Sequence, residues 1–277
     1  MKALSILSKA LPLTVALAFT SSTQAANITF GGVTANDGSG LTSSFIDPAT
    51  GGAAGYFIES FDQATNTTGL PGSTAYNVPG FEQECAVNSA NGGPAGVVVT
   101  ADPTEVGIRK GSVANVAAAP ANDSTCYGYT TNNGSGVATT VFDYSNLLSF
   151  FTPASSNTLL GITYLGFYWG SVDTYNDFEF YSDGNLVTSI TGSQLLSSLG
   201  GQSGNQTSAR SNVYVNIDFS IAEQFDTLVI KTTGIAGEFD NIVVGLSTRE
   251  IPVPAPTGLA LFAFGLIALG LRSRMKK

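Results

Sequence analysis

The chain of 277 residues contains no histidine. This absence excludes Ser-His-Asp and Cys-His catalysis, because both chemistries need an imidazole as general base. It also excludes metal sites with imidazole ligands, and the sequence has neither a zinc-ligand spacing nor a phosphate-binding glycine loop. A metal site in this chain would therefore have to rely on oxygen ligands.

Basic residues are also scarce, with 11 Lys and Arg against 20 Asp and Glu. All 20 acidic residues lie between Asp37 and Glu250, a region with only five basic ones, so its net charge is near −15 (20 minus 5). Such a surface repels phosphate backbones, and we expect no nucleic-acid partner. The same charge favours solubility and tolerance of divalent cations.

The N-terminus has the three parts of a secretory signal peptide. Met1-Lys2 and Lys9 are basic, Leu11 to Phe19 is apolar, and Thr23-Gln24-Ala25 offers small residues for cleavage after Ala25. We therefore expect residues 1–25 to be removed on export. An uncleaved membrane anchor is the alternative, and the short apolar centre disfavours it.

The C-terminus has a second three-part pattern. A proline-rich linker at 249–256 ends in Pro254-Ala255-Pro256, and Thr257–Leu271 follows without a charge. A helix of that apolar run is roughly 22 Å long, and local thinning of the ~30 Å hydrocarbon layer would let it span. We expect a transmembrane segment and basic tail at 257–277, with a buried core helix as the alternative. Four basic residues place the tip in the cytoplasm by the positive-inside rule: Arg272, Arg274, Lys276 and Lys277.

The tripeptide Pro254-Ala255-Pro256, the apolar run and the basic tip together resemble the PEP-CTERM sorting signal of bacterial exported proteins. That family has Glu between the prolines, where this chain has Ala255. The resemblance implies processing by exosortase, a membrane protease-transpeptidase, and delivery to the cell surface or extracellular matrix. It covers about a tenth of the chain.

Only two cysteines occur, Cys85 and Cys126, and both lie in the expected exported part. An even pair in an oxidising compartment predicts a disulfide. Closing a loop of this length stabilises a fold by ~3 to 4 kcal/mol in the chain-entropy model. A catalytic thiol is the alternative, but no histidine is present to activate it.

Residues 26–248 have the composition of strands and turns, rich in Gly, Ser, Thr, Asn, Val and aromatics. Thr163–Trp169 is apolar, Asn176–Tyr181 alternates, and Asp183-Gly184 forms a two-residue hairpin turn. The pattern predicts an all-β domain, an antiparallel β-sandwich of jelly-roll type, with a barrel or a solenoid as alternatives. Further strands are predicted at 28–30, 56–62, 97–100, 137–143, 186–190, 213–219, 225–232 and 239–245, and a helical turn at 194–199.

Three stretches of this domain resemble a family of exosortase-dependent surface proteins. They are Gly111–Thr125, Tyr164–Asn176 and Phe239–Ile242. The resemblance implies a location at the cell surface and carries no assigned chemistry.

Three candidate sites remain. Asp177 and Glu179 would lie about 7 Å apart on one strand face, near the separation of glycosidase carboxylates, although such acids are ordinary on a solvent-facing strand. Oxygen ligands for calcium come from Asp37 in a Gly-rich loop and from Glu238 or Asp240 before the last strand, with a solvated loop as the alternative. The third candidate is an aromatic platform for sugar rings formed by Tyr168, Trp169 and Tyr175. Burial of these rings in the core is the alternative.

From these features we expect a non-enzymatic exported protein of the cell surface or matrix, linked to exopolysaccharide or biofilm. A carbohydrate-binding module is the alternative function, followed by a glycoside hydrolase.

Overall fold

The computed structural model describes residues 26–62, 85, 97–101, 106–132, 136–152 and 159–249. The first ten strands in the described part are β1 Asn27–Phe30, β2 Val33–Thr34, β3 Leu41–Thr42, β4 Ile46–Asp47, β5 Gly51–Gly52, β6 Tyr56–Glu59, β7 Val98–Ala101, β8 Val106–Lys110, β9 Cys126–Thr130 and β10 Ala138–Asp143. The elements that follow are α1 Ser145–Phe151, β11 Leu159–Gly170, β12 Asn176–Ser182, β13 Asn185–Thr191, α2 Gly192–Leu199, β14 Val213–Asp218, β15 Thr227–Thr232 and β16 Gly237–Arg249.

The long strands form two antiparallel sheets. A seven-stranded sheet has the order β1-β14-β11-β16-β9-β8, with β6 also paired to β16, and a five-stranded sheet has the order β13-β12-β15-β10-β7. Strands β2 and β3, and strands β4 and β5, form two small ribbons. The prediction of an all-β, antiparallel fold is confirmed, and the arrangement is sandwich-like.

Aromatic side chains join the two sheets into one core. The Phe178 ring, on the five-stranded sheet, lies 4.9 Å from the ring centres of both Phe167 and Trp169 on the other sheet. Phe142 and Phe239 make a second contact of this kind at 5.9 Å. Buried aromatic pairs stabilise a fold by removing apolar area from water, and their ring–ring contact adds further stabilisation. These contacts therefore hold the two sheets face to face.

The hairpin of β12 and β13 forms as its sequence predicts. Phe178 and Phe180 are buried while Asp177 and Glu179 face outward, which is the expected alternation. The turn residue Asp183 has φ +50°, and the glycine that follows it has φ +76°, as a tight two-residue turn requires. The predicted helical turn is also confirmed as α2.

Strand β16 changes its pairing partner in the middle of the seven-stranded sheet. Gly237–Phe239 pair with β9, and Ile242–Gly245 pair with β6. Between these two ladders lie Asp240 and Asn241, and Asn241 has φ +46°. The end of β6 and the start of β9 therefore meet beside Asp240, at the kind of local irregularity often found next to functional sites.

Strands β8 and β9 were not predicted, because each has a glycine in its interior. A Cβ on Gly107 would meet the Tyr129 hydroxyl at 2.2 Å, and one on Gly128 would meet the Phe239 ring at 2.4 Å. These glycines are required by close ring packing, although glycine in a sequence favours a turn.

The predicted signal peptide, the sorting tripeptide and the basic tail lie outside the described residues. So does the predicted membrane-spanning segment at 257–277. Within the described ranges, no helix has the length and apolar character needed to cross a bilayer.

Candidate functional site

Four aspartates from four separate segments act on one another electrostatically. Asp37 lies between β2 and β3, Asp62 follows β6, Asp123 precedes β9, and Asp240 lies in the gap of β16. The pairing of β6 and β9 with the same strand brings these segments together. We refer to these four residues as the aspartate cluster.

Three members of the cluster use one carboxylate oxygen to fix local backbone. Asp37 Oδ1 accepts from the Ser39 amide at 3.0 Å, and Asp123 Oδ1 accepts from the Thr125 amide at 2.8 Å. Asp62 Oδ1 accepts from the Cys126 amide at 2.7 Å. These bonds hold the carboxylates in place and leave the Oδ2 atoms of Asp62 and Asp123 buried without a hydrogen-bond partner.

Asp240 is the most buried member, with a side-chain exposure of 0 %. Both of its carboxylate oxygens lack a hydrogen-bond partner. The carboxyl groups of Asp240 and Asp123 are close enough to hydrogen-bond if one of them is protonated. When both are ionised, neither has a proton to donate, and the Asp240 oxygens have no partner.

The loop that carries Asp37 is fastened over this part of β16. Asn241 Nδ2 donates to Ser39 Oγ at 2.7 Å and to the Leu41 carbonyl at 3.0 Å. Gly40 has φ +81°, and a Cβ there would meet the Tyr168 ring at 2.5 Å, so only glycine lets the loop lie this close. The cluster is therefore covered by a fixed loop.

Burial and mutual repulsion raise the pKa values of the cluster. Desolvation raises the pKa of Asp62 to about 7, with repulsion from Asp37 and Asp123 added, while the Cys126 amide and Lys110 oppose the shift. Desolvation raises the pKa of Asp123 to about 6, against the hydrogen bonds from Thr125. The pKa of Asp240 is raised well above its ordinary value by desolvation and by the other three carboxylates.

The aspartate cluster can relieve this repulsion by holding protons or by binding a cation. The described residues do not include a ready-made cage of three or more acidic or thiol side chains in metal-ligand geometry. The aspartate side chains would have to rotate before their free Oδ2 atoms could bind one cation.

Of the predicted calcium ligands, Asp37 and Asp240 are brought together, and Glu238 is not. Glu238 Oε1 accepts from the Ala118 amide at 2.9 Å, and its Oε2 accepts from Ser171 Oγ at 2.7 Å. Both of its oxygens therefore have hydrogen-bond partners, and Glu238 does not act on the four aspartates as they act on one another. Sequence reasoning missed Asp62 and Asp123, since only strand pairing places them near β16.

Glu238 instead lies in a cleft of about 480 Å³. Asp173, Tyr175 and Gln206 line the same cleft. Desolvation raises the pKa of Glu238 to about 8, and Asp173 adds to the shift while the bonds from Ala118 and Ser171 oppose it.

The predicted carboxylate pair lies on the outward face of β12. Glu179 forms a salt bridge of 2.7 Å with Lys231 and accepts a hydrogen bond from the Tyr181 hydroxyl at 2.6 Å. Although desolvation raises its pKa, the bonds from Lys231 and Tyr181 outweigh that effect and lower it. A glycosidase general acid needs a raised pKa, so this geometry does not favour the pair as catalysts.

The predicted sugar platform is not an exposed surface. Trp169 is 1 % exposed, and Tyr168 is 2 % exposed with its hydroxyl bonded to the Ala121 carbonyl at 2.5 Å. Only Tyr175 is partly exposed, at the cleft that also contains Glu238. The three-ring platform is therefore wrong, because Trp169 packs in the core and Tyr168 is buried with its hydroxyl bonded to Ala121.

Comparison with known proteins finds no matching family model, no matching curated protein and no matching solved structure.

Proposed function

We propose that this chain is an exported, non-enzymatic protein of the cell surface or extracellular matrix, associated with exopolysaccharide or biofilm. In this proposal a secretory signal at 1–25 directs export. The C-terminal segment 257–277 then holds the protein in the membrane until an exosortase-type enzyme processes it near Pro254-Ala255-Pro256. For the exported part we infer a jelly-roll-like sandwich, since strands from β13 onward alternate between the two sheets.

The observation that carries this proposal is the disulfide between Cys85 and Cys126. Both cysteines are fully buried, and the Cα atoms are 5.7 Å apart. Disulfides persist in oxidising compartments outside the cytoplasm and are rare within it. The bond therefore supports the destination that the two chain ends predict.

Sorting is tested by cell fractionation with and without the exosortase. We expect the wild-type protein to lose its C-terminal segment and leave the membrane only when the enzyme is present. The double variant Pro254→Ala/Pro256→Ala should keep the full C-terminus and stay in the membrane. Pro252→Ala is the matched control and should be processed normally; identical size and location in all strains would reject the proposal.

A second candidate function, binding of a polysaccharide, is favoured by the cleft beside Glu238. Tyr175 lines it with Asp173 and Gln206, a combination of ring surface and polar groups suited to a sugar. The Tyr175 hydroxyl donates to the Ile235 carbonyl at 2.7 Å, which fixes the ring at the cleft.

Affinity electrophoresis against the exopolysaccharide of the producing cell tests this candidate. Tyr175→Ala should abolish retardation, while Tyr181→Ala, which removes a ring from the outer face of β12, should leave it unchanged. Equal retardation of both variants and wild type would exclude the cleft as the sugar site.

A further inference from the structure

The aspartate cluster contains four buried carboxylate oxygens with no hydrogen-bond partner. They are Asp62 Oδ2, Asp123 Oδ2 and both oxygens of Asp240. A buried polar group without a partner costs free energy, and a buried ionised one costs more. These oxygens lie together where β16 changes its pairing partner. Their position indicates that a bound ion or proton satisfies them.

Within the part of the chain that the structure describes, little positive charge acts on the cluster. Lys110 acts on Asp62, but a single ammonium does not balance four carboxylates. The Oδ1 atoms of Asp37, Asp62 and Asp123 already accept backbone amides, which fixes the carboxylates without neutralising them.

We propose that Asp37, Asp62, Asp123 and Asp240 bind one calcium ion between the Asp37 loop and the gap in β16. Calcium takes six to eight oxygen ligands at about 2.3–2.6 Å and accepts irregular geometry. In this proposal the aspartate side chains rotate to bring the free Oδ2 atoms and the Asp240 carboxylate to the ion, and solvent completes the shell through the half-buried Asp37.

The chemistry of the ligands selects calcium over the other common cations. Zinc prefers nitrogen and sulfur ligands, and this site has only oxygens. Magnesium keeps several waters and is usually held by one or two carboxylates, whereas four converge here. For a protein in an extracellular medium, a dissociation constant on the order of 10⁻⁴–10⁻³ M is expected.

Bound calcium would fasten four segments of the fold. The Asp37 loop already contacts the loop before β9, since the Ser124 amide donates to the Gly38 carbonyl at 3.0 Å. The ion would add a link from both loops to Asp240 on β16 and to Asp62 at the end of β6. Calcium would therefore stabilise the end of the seven-stranded sheet where the disulfide lies.

Calcium binding is measured by thermal unfolding and by calorimetric titration of the full-length, disulfide-bonded chain at mildly alkaline pH. At a calcium concentration roughly 100-fold above the dissociation constant, we expect Tm to rise by about 5 to 10 °C relative to chelator. Terbium should bind at the same place and show luminescence sensitised by Tyr168, whose hydroxyl lies near Asp123 and Asp240.

Asp240→Asn should weaken calcium binding at least about tenfold. Asp37→Asn keeps the oxygen that accepts from the Ser39 amide and should weaken calcium binding as well. Asp218→Asn is the matched control, because it removes an exposed carboxylate of β14 and should bind like wild type.

Three results would overturn the proposal. The first is the absence of any calcium-dependent heat or shift in Tm with the wild-type chain. The second is undiminished binding by both Asp240→Asn and Asp37→Asn. The third is terbium luminescence that Asp240→Asn leaves unchanged, which would place the bound ion away from the aspartate cluster. Since none of these readouts depends on sorting, a failed sorting experiment would leave the calcium proposal intact.

Discussion

The Cys126 amide donates a 2.7 Å hydrogen bond to the Asp62 carboxylate. Cys126, the first residue of β9, therefore both forms the disulfide and holds a member of the aspartate cluster. This places a covalent link and a charged cluster at the same point of the seven-stranded sheet. Changes to either are therefore expected to act on one local structure.

Removing the disulfide should cost substantial stability. Cys85→Ser is expected to lower the free energy of unfolding by about 4 kcal/mol, because the bond closes a sequence separation of 41 residues in the unfolded chain. Denaturant titration of the variant measures this loss. Reduction of the wild-type chain is the matched control and should give the same loss; equal stability of oxidised and reduced protein would contradict the prediction.

Trp169 should act as a core residue. Trp169→Ala is expected to cost about 3–5 kcal/mol, because it leaves a cavity against Phe167 and Phe178. Wild-type tryptophan fluorescence should resist external quenchers and become quenchable on unfolding. A stable Trp169→Ala variant that loses sugar binding would restore the platform hypothesis.

Glu238 should make stability depend on pH. Its pKa is about 8 in the folded state against an ordinary value of 4.5, so the folded state keeps a proton that the unfolded state releases in this window. The unfolded state binds fewer protons there, and stability falls as pH rises from about 5 to about 8, by up to ~1.4 kcal/mol per pH unit from this group.

Glu238→Gln should flatten this dependence. The amide can keep the neutral bonding pattern, because the Ser171 hydroxyl can turn to accept from it. Denaturation midpoints across the pH range measure the difference from wild type, with Asp218→Asn as the control that keeps the full slope. Identical slopes for wild type and Glu238→Gln would contradict the assignment.

The Glu179–Lys231 pair should contribute little. Both side chains are partly exposed, so Glu179→Gln is expected to cost less than about 1 kcal/mol. Because the pKa of Glu179 is lowered, the contribution is present above its ordinary value of 4.5 and is lost as pH falls through the folded-state pKa. Thermal unfolding at neutral and acidic pH measures both effects, and Asp177→Asn serves as the neighbouring control.

Local signals predicted the C-terminal half of the domain well. The hairpin from Asn176 to Ile190 was predictable because the alternation and the Asp183-Gly184 turn are contained in a few adjacent residues. The aromatic strand β11 was also predictable, but its sequence did not show whether Trp169 is buried or exposed. A strand rich in aromatic residues on both faces does not show from its own sequence which face the second sheet covers.

The aspartate cluster could be predicted only in part. Asp37 stood out in its Gly-rich loop, while Asp62 and Asp123 reach the site through pairing between strands that are far apart in sequence. Glu238 and Asp240 are near neighbours with opposite outcomes, because Glu238 still pairs with β9 whereas Asp240 lies in the gap before the ladder with β6. No periodicity in the sequence marks that change.

The most direct test of the account is the intact mass of the protein recovered from the producing cells, measured separately for the extracellular and cytosolic fractions. We predict a chain that begins at Ala26, lacks the segment after the sorting tripeptide, and carries the Cys85–Cys126 disulfide, found outside the cytoplasm. A cytosolic polypeptide of all 277 residues with both thiols reduced would contradict it.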